Sequence, residues 1–412
     1  MNMLSDKDLK GVRVNAEPGV SPVRIDGHMT VPALFRARCL ENGDEVAHRE
    51  KDLGIWQAYS WTDYLTRARH IGMGLRALGL ERGDVISILS EDNKEWMYFD
   101  MAAQCMGAIS SGVYTTDSAS QLAYLVNDSQ TKFLIVENEE QLDKYLEVAG
   151  QLPSLKKVII LDPEGLHAFD SQHCMLLDEL YALGREHDDE AIFNAEIDKA
   201  QPQDVCVLIY TSGTTGQPKG VQLTQENIMA GMECSLYGLP FQKRAEQLCF
   251  LPLCHILERI VSLYTPLVVS STVNFAESPE TVFDNLREIS PHGFVAVPRV
   301  WEKVYSRVLV MAQESTLLGR WAFKQAIAAG ERHWFKKNHQ LSGEILARIR
   351  AEGPLQARDF EQPRRGNSGW WDWKPAKKAL EQLFMEGELM VAHRQGFQKV
   401  YDLTERVLPD GI

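Results

Sequence analysis

A layered α/β fold over residues 1–341, followed by a small α+β module over residues 342–412, is what this 412-residue sequence predicts. Residues 56–162 alternate short β-branched runs with amphipathic stretches at helical spacing, the pattern of a sheet with helical crossovers. Residues 205–210, VCVLIY, form a continuous apolar run suited to a strand buried on both faces. The charge also changes along the chain: of a formal −14, residues 1–341 carry the whole excess, 32 Lys+Arg against 46 Asp+Glu, whereas residues 342–412 balance at 11 against 11.

In chain order, the patterns predict a strand over 84–89, a helix over 94–106, a strand over 108–114 and a helix over 118–127. Strands over 133–137 and 158–161 follow, with a helix over 139–149 between them. After the 205–210 strand, helices are expected over 225–237 and 282–288, strands over 247–251 and 272–275, and long helices across 300–328. No internal repeat or low-complexity tract interrupts this order.

Composition narrows the function classes. A sequence pI near 5.3 argues against a nucleic-acid binder acting through its whole surface and fits an enzyme that holds anions locally. Seven scattered cysteines without CxxC pairs indicate neither a disulfide framework nor a zinc site and point to a reducing cytoplasm. The N-terminal residues lack a basic patch followed by an apolar core, and no apolar stretch approaches about 18 residues, so neither secretion nor a membrane span is expected.

The chemistry-bearing segment is YTSGTTGQPKGV, residues 210–221. The apolar strand runs straight into it. Gly213, Gly216 and Gly220 let backbone N–H groups turn toward a polyanion, because a Cβ blocks that approach. Ser212, Thr214 and Thr215 add hydroxyl donors, and Lys219 supplies a point charge for the negative charge that builds on the β and γ phosphates as an α phosphorus is attacked. It is not the GxxxxGK[ST] loop of the P-loop nucleotidases, since Pro218 precedes the lysine and Gly220 follows it.

On these residues the chain resembles the adenylate-forming superfamily of acyl-CoA synthetases, luciferases and peptide-synthetase adenylation domains. The resemblance implies two steps: a carboxylate attacks the α phosphorus of MgATP to give an acyl-adenylate and pyrophosphate, then a thiol, usually coenzyme A, takes the acyl group. It implies Thr211, Ser212, Gly213, Thr214, Thr215, Gly216, Lys219 and Gly220 as nucleotide-binding residues, Lys219 as catalytic and Thr211 as the ligand of Mg2+. ATP, Mg2+ and coenzyme A are thus the implied cofactors and co-substrate. The segments GAISSGVYTTDS (107–118) and QLAYLVNDS (121–129) match the family's N-terminal subdomain and read as scaffold.

Residues 251–259, LPLCHILER, narrow the resemblance to long-chain fatty acid synthetases, and so imply a fatty acid substrate, as do residues 291–305, PHGFVAVPRVWEKVY. The resemblance implies that His255 is catalytic, ordering the carboxylate or gating its entry; the residues alone equally allow a histidine that starts a helix and bonds to backbone. Glu258 and Arg259 read as a partly exposed ion pair or a solvated face. Core packing accounts for Phe294, Val295, Val297 and Trp301 as well as the family motif does, and the apolar positions of 228–239 suit either an acyl tunnel or an ordinary core helix.

Past residue 341 the segments that such enzymes present next are not found: a YGxTE-like stretch, an aspartate for the ribose, and the hinge with the adenylation lysine. The expectation is an incomplete adenylate-forming N-terminal domain, impaired in the full reaction, with exposed sheet edges that favour self-association. Its expected location is the cytoplasm, with peripheral membrane contact. Residues 342–409 instead resemble the winged-helix segment of DNA glycosylases related to interstrand-crosslink repair. Helices are expected over 344–349, 355–360 and 375–385, the last ended by Gly387, with a hairpin over 389–392 and 397–401 around His393-Arg394-Gln395-Gly396. Arg364, Arg365, Lys374, Lys377, Lys378 and Arg394 are candidates for weak DNA binding through backbone phosphates, with Trp370, Trp371 and Trp373 packing nearby. The neutral balance of the module leaves open that it only packs or mediates contacts, and a non-catalytic chimera of the two segments remains a third reading.

Overall fold

The computed structural model describes residues 23–407 except 168, 170, 212–215, 239–241, 361–375, 377, 378, 381, 382, 385, 386, 396 and 397. The chain divides into two compact units, Met1–Val295 and Ala296–Ile412. The first holds eleven strands among its described residues: β1 (Val46–Asp52), β2 (Ile55–Ser60), β3 (Val85–Leu89), β4 (Ile109–Val113), β5 (Phe133–Val136), β6 (Lys157–Ile160), β7 (Cys174–Leu176), β8 (Val205–Thr211), β9 (Lys219–Thr224), β10 (Glu246–Cys249) and β11 (Thr272–Phe275).

Seven of them form one sheet in the order β7-β6-β5-β3-β4-β8-β9. Its neighbours run parallel except β9, which turns back antiparallel to β8 at the edge. Side chains alternate across a strand, so a sheet covered on both faces needs apolar residues at every position. In β5, Phe133 and Ile135 enter one apolar core while Leu134 and Val136 enter the other. The first core is closed by helices Trp61–Ala77 and Lys94–Cys105, the second by helices Ala119–Ser129 and Glu139–Val148.

These helices start where polar side chains can take up free backbone donors. Ser60 and Asp63 cap each other's backbone at Trp61–Ala77, Ser118 and Gln121 do so at Ala119–Ser129, and the Asn93 side chain accepts from Trp96 N at 2.8 Å. The smaller sheet has the order β10-β11-β1-β2. There β1 pairs antiparallel with β2 and parallel with the distant β11. His48 of β1 lies among Tyr64, Tyr98 and Phe275, and burial lowers its pKa to about 3, so the ring is neutral.

In the second unit, helices Pro298–Glu314 and Leu317–Glu352 precede a three-stranded antiparallel sheet, β12 (Leu355–Gln356), β14 (Gln398–Leu403) and β13 (Leu389–Gln395) in spatial order. Ile345, Ile349, Ala379, Leu380, Leu383, Leu389, Tyr401 and Leu403 share a small core of their own. The apolar spacing of 379, 380 and 383 thus marks a buried face, and the 389–401 hairpin is present. Residues 355–360 are not a helix: a two-residue strand leads into a single 3-10 turn, Ala357–Phe360, because Leu355 and Gln356 pair with Tyr401 and Val400. Helix Leu317–Glu352 runs through position 341/342, where motif and charge change, and the two compact units meet at 295/296. Arg364, Arg365, Lys374, Lys377, Lys378, Trp370, Trp371 and Trp373 lie outside the described residues.

Tight packing behind β4 explains its small residues. A Cβ on Gly112 would stand 2.6 Å from Cys254 Cα and 3.2 Å from the Trp96 ring. Neither neighbour is the free end of a flexible chain, so Gly112→Ala is expected to destabilise the first unit by about 1–3 kcal/mol, read as a lowered urea midpoint with an unchanged slope.

Candidate functional site

Strand β8 carries the glycine-rich segment out of the sheet and β9 brings it back. Thr211 stands opposite Lys219 and Tyr210 opposite Gly220, so β8 and β9 pair as a hairpin at the sheet edge. Ser212, Gly213, Thr214 and Thr215 fall outside the described residues, whereas Thr211, Gly216, Lys219 and Gly220 are all exposed. The base of the loop is tied to helix Ala119–Ser129 by two tyrosines. Tyr124 donates its hydroxyl to Pro218 O at 2.8 Å, and Tyr210 donates to Asp128 Oδ2 at 2.7 Å. Gly220 has a packing role besides any conformational one, since a Cβ there would press within 3.0 Å of Leu208 Cδ1.

The described part of the loop fits a phosphate ligand. Lys219 offers an exposed ammonium at one end of the turn, and Thr211 an exposed hydroxyl at the other. Among the described residues no group of three or more His, Cys, Asp or Glu side chains could hold a metal ion. A lone hydroxyl suits Mg2+, which keeps most of its ligands as water and substrate phosphate. Two surface cavities, of about 480 and 300 Å3, lie elsewhere: one is lined by Asp26, His28 and Arg38, the other by Tyr145, Lys156, Lys157 and His173.

His255 takes the backbone-bonded arrangement. It precedes the short helix Ile256–Glu258, and its Nδ1 accepts from Leu257 N at 3.1 Å. The ring is exposed, and no hydrogen bond among the described residues joins it to Thr211, Gly216, Lys219 or Gly220. In helix Gln225–Gly238, Ile228, Met229, Met232 and Leu236 pack in the first core, so they form a core face. Of the two readings of Val297 and Trp301, core packing does not hold: both are exposed, and helix Pro298–Glu314, which Val297 precedes, buries none of its residues.

The larger correction concerns Glu258 and Arg259, which are wholly enclosed and not a solvated face. Arg259 Nη2 lies 3.4 Å from Asp100 Oδ1 and donates to Ser110 Oγ at 2.9 Å, while its Nε donates to Leu253 O at 3.1 Å. The guanidinium sits 4.5 Å from the centre of the Trp96 ring. Ser110 Oγ also donates to Asp100 Oδ1, and Gln104 and Tyr264 donate to Asp100 Oδ2 at 2.7 and 3.1 Å. The network continues through Gln225, which donates to Gln104 Oε1 and accepts from Val31 N. A signal was available in the sequence: the two charges sit inside the otherwise apolar stretch ILERIVSLYTPLVV, where a charge needs a buried partner.

Glu258 accepts from Ser262 Oγ at 2.7 Å and from the Cys249 thiol, yet burial dominates and pushes its carboxyl up to about 7. Asp92 accepts from Leu253 N at 2.8 Å; burial and then the Glu258 charge raise its carboxyl well above the usual range. The segment 251–259 is thereby pinned through Leu253 on both its N–H and its C=O side.

A profile of the AMP-binding enzyme family matches residues 35–358. The long-chain-fatty-acid–CoA ligase ACSBG1 of Bos taurus is 33% identical over 308 residues, covering 73% of this chain and 42% of the ligase. The Homo sapiens counterpart is 34% identical over 301 residues, 71% of this chain and 41% of its own length. The chain therefore spans about two fifths of the curated relatives it matches. In fold it is similar to the adenylation domain of a carboxylate reductase from Mycobacterium chelonae, with a TM-score of 0.59, 22% identity, and coverage of 73% of this chain and 49% of that one. A carboxylic acid reductase didomain from Segniliparus rugosus, solved with AMP, gives a TM-score of 0.61 at 18% identity, over 76% and 48% of the two chains.

The Glu258 carboxyl sets a pH dependence. Its folded pKa, about 7, lies above the ordinary 4.5, so the folded state holds the proton more tightly and stability is full below about pH 4.5. It is lost as pH rises through 7, by on the order of 3 kcal/mol. Glu258→Gln should therefore flatten the fall in the denaturation midpoint between pH 5 and 8 that the unaltered protein shows; an equally steep fall in both would contradict the assignment.

Proposed function

The chain belongs to the AMP-binding enzymes, and on that premise we propose that it grips the triphosphate of MgATP in the β8–β9 turn and activates a long-chain fatty acid as its acyl-adenylate. The observation that carries this reading is the hairpin itself, a glycine- and hydroxyl-rich turn with Thr211 at one end, exposed Lys219 at the other, and a base fixed by Tyr124 and Tyr210. Lys219 supplies charge to the β and γ phosphates as pyrophosphate leaves. Thr211 would hold Mg2+, which when bound withdraws charge from the phosphate oxygens. The fatty acid is read from the similar ligases, and coenzyme A is the acceptor of the second step.

Within these 412 residues no YGxTE-like stretch and no adenylation lysine motif follow the turn, so we place ATP binding in this chain and assign it only slow adenylation. Gripping phosphate does not by itself align adenine, ribose and carboxylate, and lost alignment lowers a rate by several powers of ten.

Two measurements test the proposal. Isothermal titration should show ATP binding that Lys219→Ala weakens roughly tenfold or more, the worth of one charge-assisted contact; absence of binding, or binding indifferent to Lys219, overturns it. ATP–pyrophosphate exchange with palmitate should be detectable and far slower than that of a full-length ligase, and an equal rate would refute the slow-adenylation assignment.

A further inference from the structure

Helix Ala119–Ser129 reads as scaffold in the sequence, yet two polar groups one turn apart on it, at positions 124 and 128, reach the two legs of the glycine-rich segment separately. Tyr124 donates to the carbonyl of Pro218, the residue just before β9, and Asp128 accepts the hydroxyl of Tyr210 near the end of β8. The Tyr124 and Tyr210 rings both pack against the second apolar core, so neither hydroxyl is carried on a free side chain. The two bonds join residues 94 and 82 positions apart, and they fix the hairpin to a helix that is itself capped at Ser118.

Pro218 has no N–H, so its carbonyl is the one backbone group by which it can be hydrogen-bonded. It stands one residue beyond the outermost described pair of the β8–β9 ladder, Thr211 with Lys219. The peptide group that carries this carbonyl also carries the Lys219 N–H and is planar, so a bond that sets the carbonyl's direction sets the plane from which Lys219 departs. On the other leg the Tyr210 ring lies against Gly220, where a Cβ would come within 3.2 Å of Cζ and 3.4 Å of Cε1. Burial and then the bond to Asp128 raise the Tyr210 hydroxyl above its ordinary value, so it remains a donor at neutral pH. Lys219 is thus flanked by two held residues, while its own side chain is exposed. A lysine ammonium rides on a flexible four-carbon stem, so the place of its backbone decides how well it meets a phosphate.

We propose that Tyr124 is a positioning residue for Lys219: through the Pro218 carbonyl it holds the lysine where it meets the phosphates of the nucleotide, and Asp128 supports the opposite leg through Tyr210. This role rests on the reading of Lys219 as a phosphate ligand, and it moves helix Ala119–Ser129 from scaffold to part of the binding apparatus.

The test is a cycle of variants of the full chain, read by titration calorimetry with MgATP. Tyr124→Phe keeps the ring and its packing and removes only the hydroxyl; it should weaken ATP binding roughly three- to tenfold, the worth of one net hydrogen bond, with far-UV circular dichroism unchanged. In a Lys219→Ala background the same substitution should cost less than about twofold, because the group being positioned is gone. Asp128→Ala, at an exposed helix position, probes the other leg without touching the core and should weaken binding by about twofold or more, again only while Lys219 is present. Equal losses with and without Lys219 would reveal a general structural effect and overturn the role. ATP binding that needs Lys219 but is indifferent to Tyr124→Phe would overturn the role alone, whereas an unaltered chain that binds no ATP would bring down the phosphate-ligand reading and the role together.

Discussion

The ion pair of Arg259 with Asp100 is the constraint on which the first unit is built. Both groups are cut off from water, and such a pair is tolerable only when the remaining donors and acceptors are met. Ser110, Gln104, Tyr264 and the Leu253 carbonyl meet most of them, with the indole of Trp96 over the guanidinium. The partners come from helix Lys94–Cys105, strand β4 and the π-helical turn Arg259–Tyr264, and through Gln225 the network reaches helices Gln225–Gly238 and Val31–Asn42. Removing one partner of such a pair costs about 3–5 kcal/mol, because the other is left charged and enclosed.

That network lies behind the strand that leads into the glycine-rich segment. Ser110 of β4 pairs in register with Val207 of β8, so the side that fixes Arg259 also fixes the strand leading to Thr211. Strand β8 is held on one side by β4 and on the other by β9, and Tyr124 and Tyr210 tie its end and Pro218 to the neighbouring helix Ala119–Ser129. Such a support fixes where the connection leaves the sheet at Thr211 and where it returns at Lys219. The pinning of Leu253 does the same for the stretch that bears His255.

Much of this arrangement is legible in the sequence. Strands 133–136 and 205–211 announce themselves by unbroken apolar runs, and helices after Asn93 and Ser118 by their caps, since these signals are local. Strand β9 was not legible: KGVQLT is largely exposed and is held in the sheet by backbone pairing with β8, which its side chains do not advertise. The burial of Arg259 depends on Asp100, 159 positions away, so a reading by windows sees two charges and assigns them to solvent. The short strand at Leu355 has the apolar spacing of a helix for the same reason, its partner Tyr401 being distant in sequence. The glycine- and hydroxyl-rich segment 210–221 stands out by composition, and its residues 212–215 lie outside the described part of the molecule.

The smaller sheet carries a cost during synthesis. Strand β1 can pair with β2 as soon as both leave the ribosome, but its other edge waits for β11, with Arg49 opposite Asn274, 225 residues later. At the usual pace of about 5–20 residues per second, that is an interval of tens of seconds at the slow end, with an unpaired strand edge and the ring of His48 lacking its cover from Phe275. Nascent chains of this protein therefore pass through a long stage in which a half-built sheet is open to chaperones, or to the same edge on a neighbouring polysome.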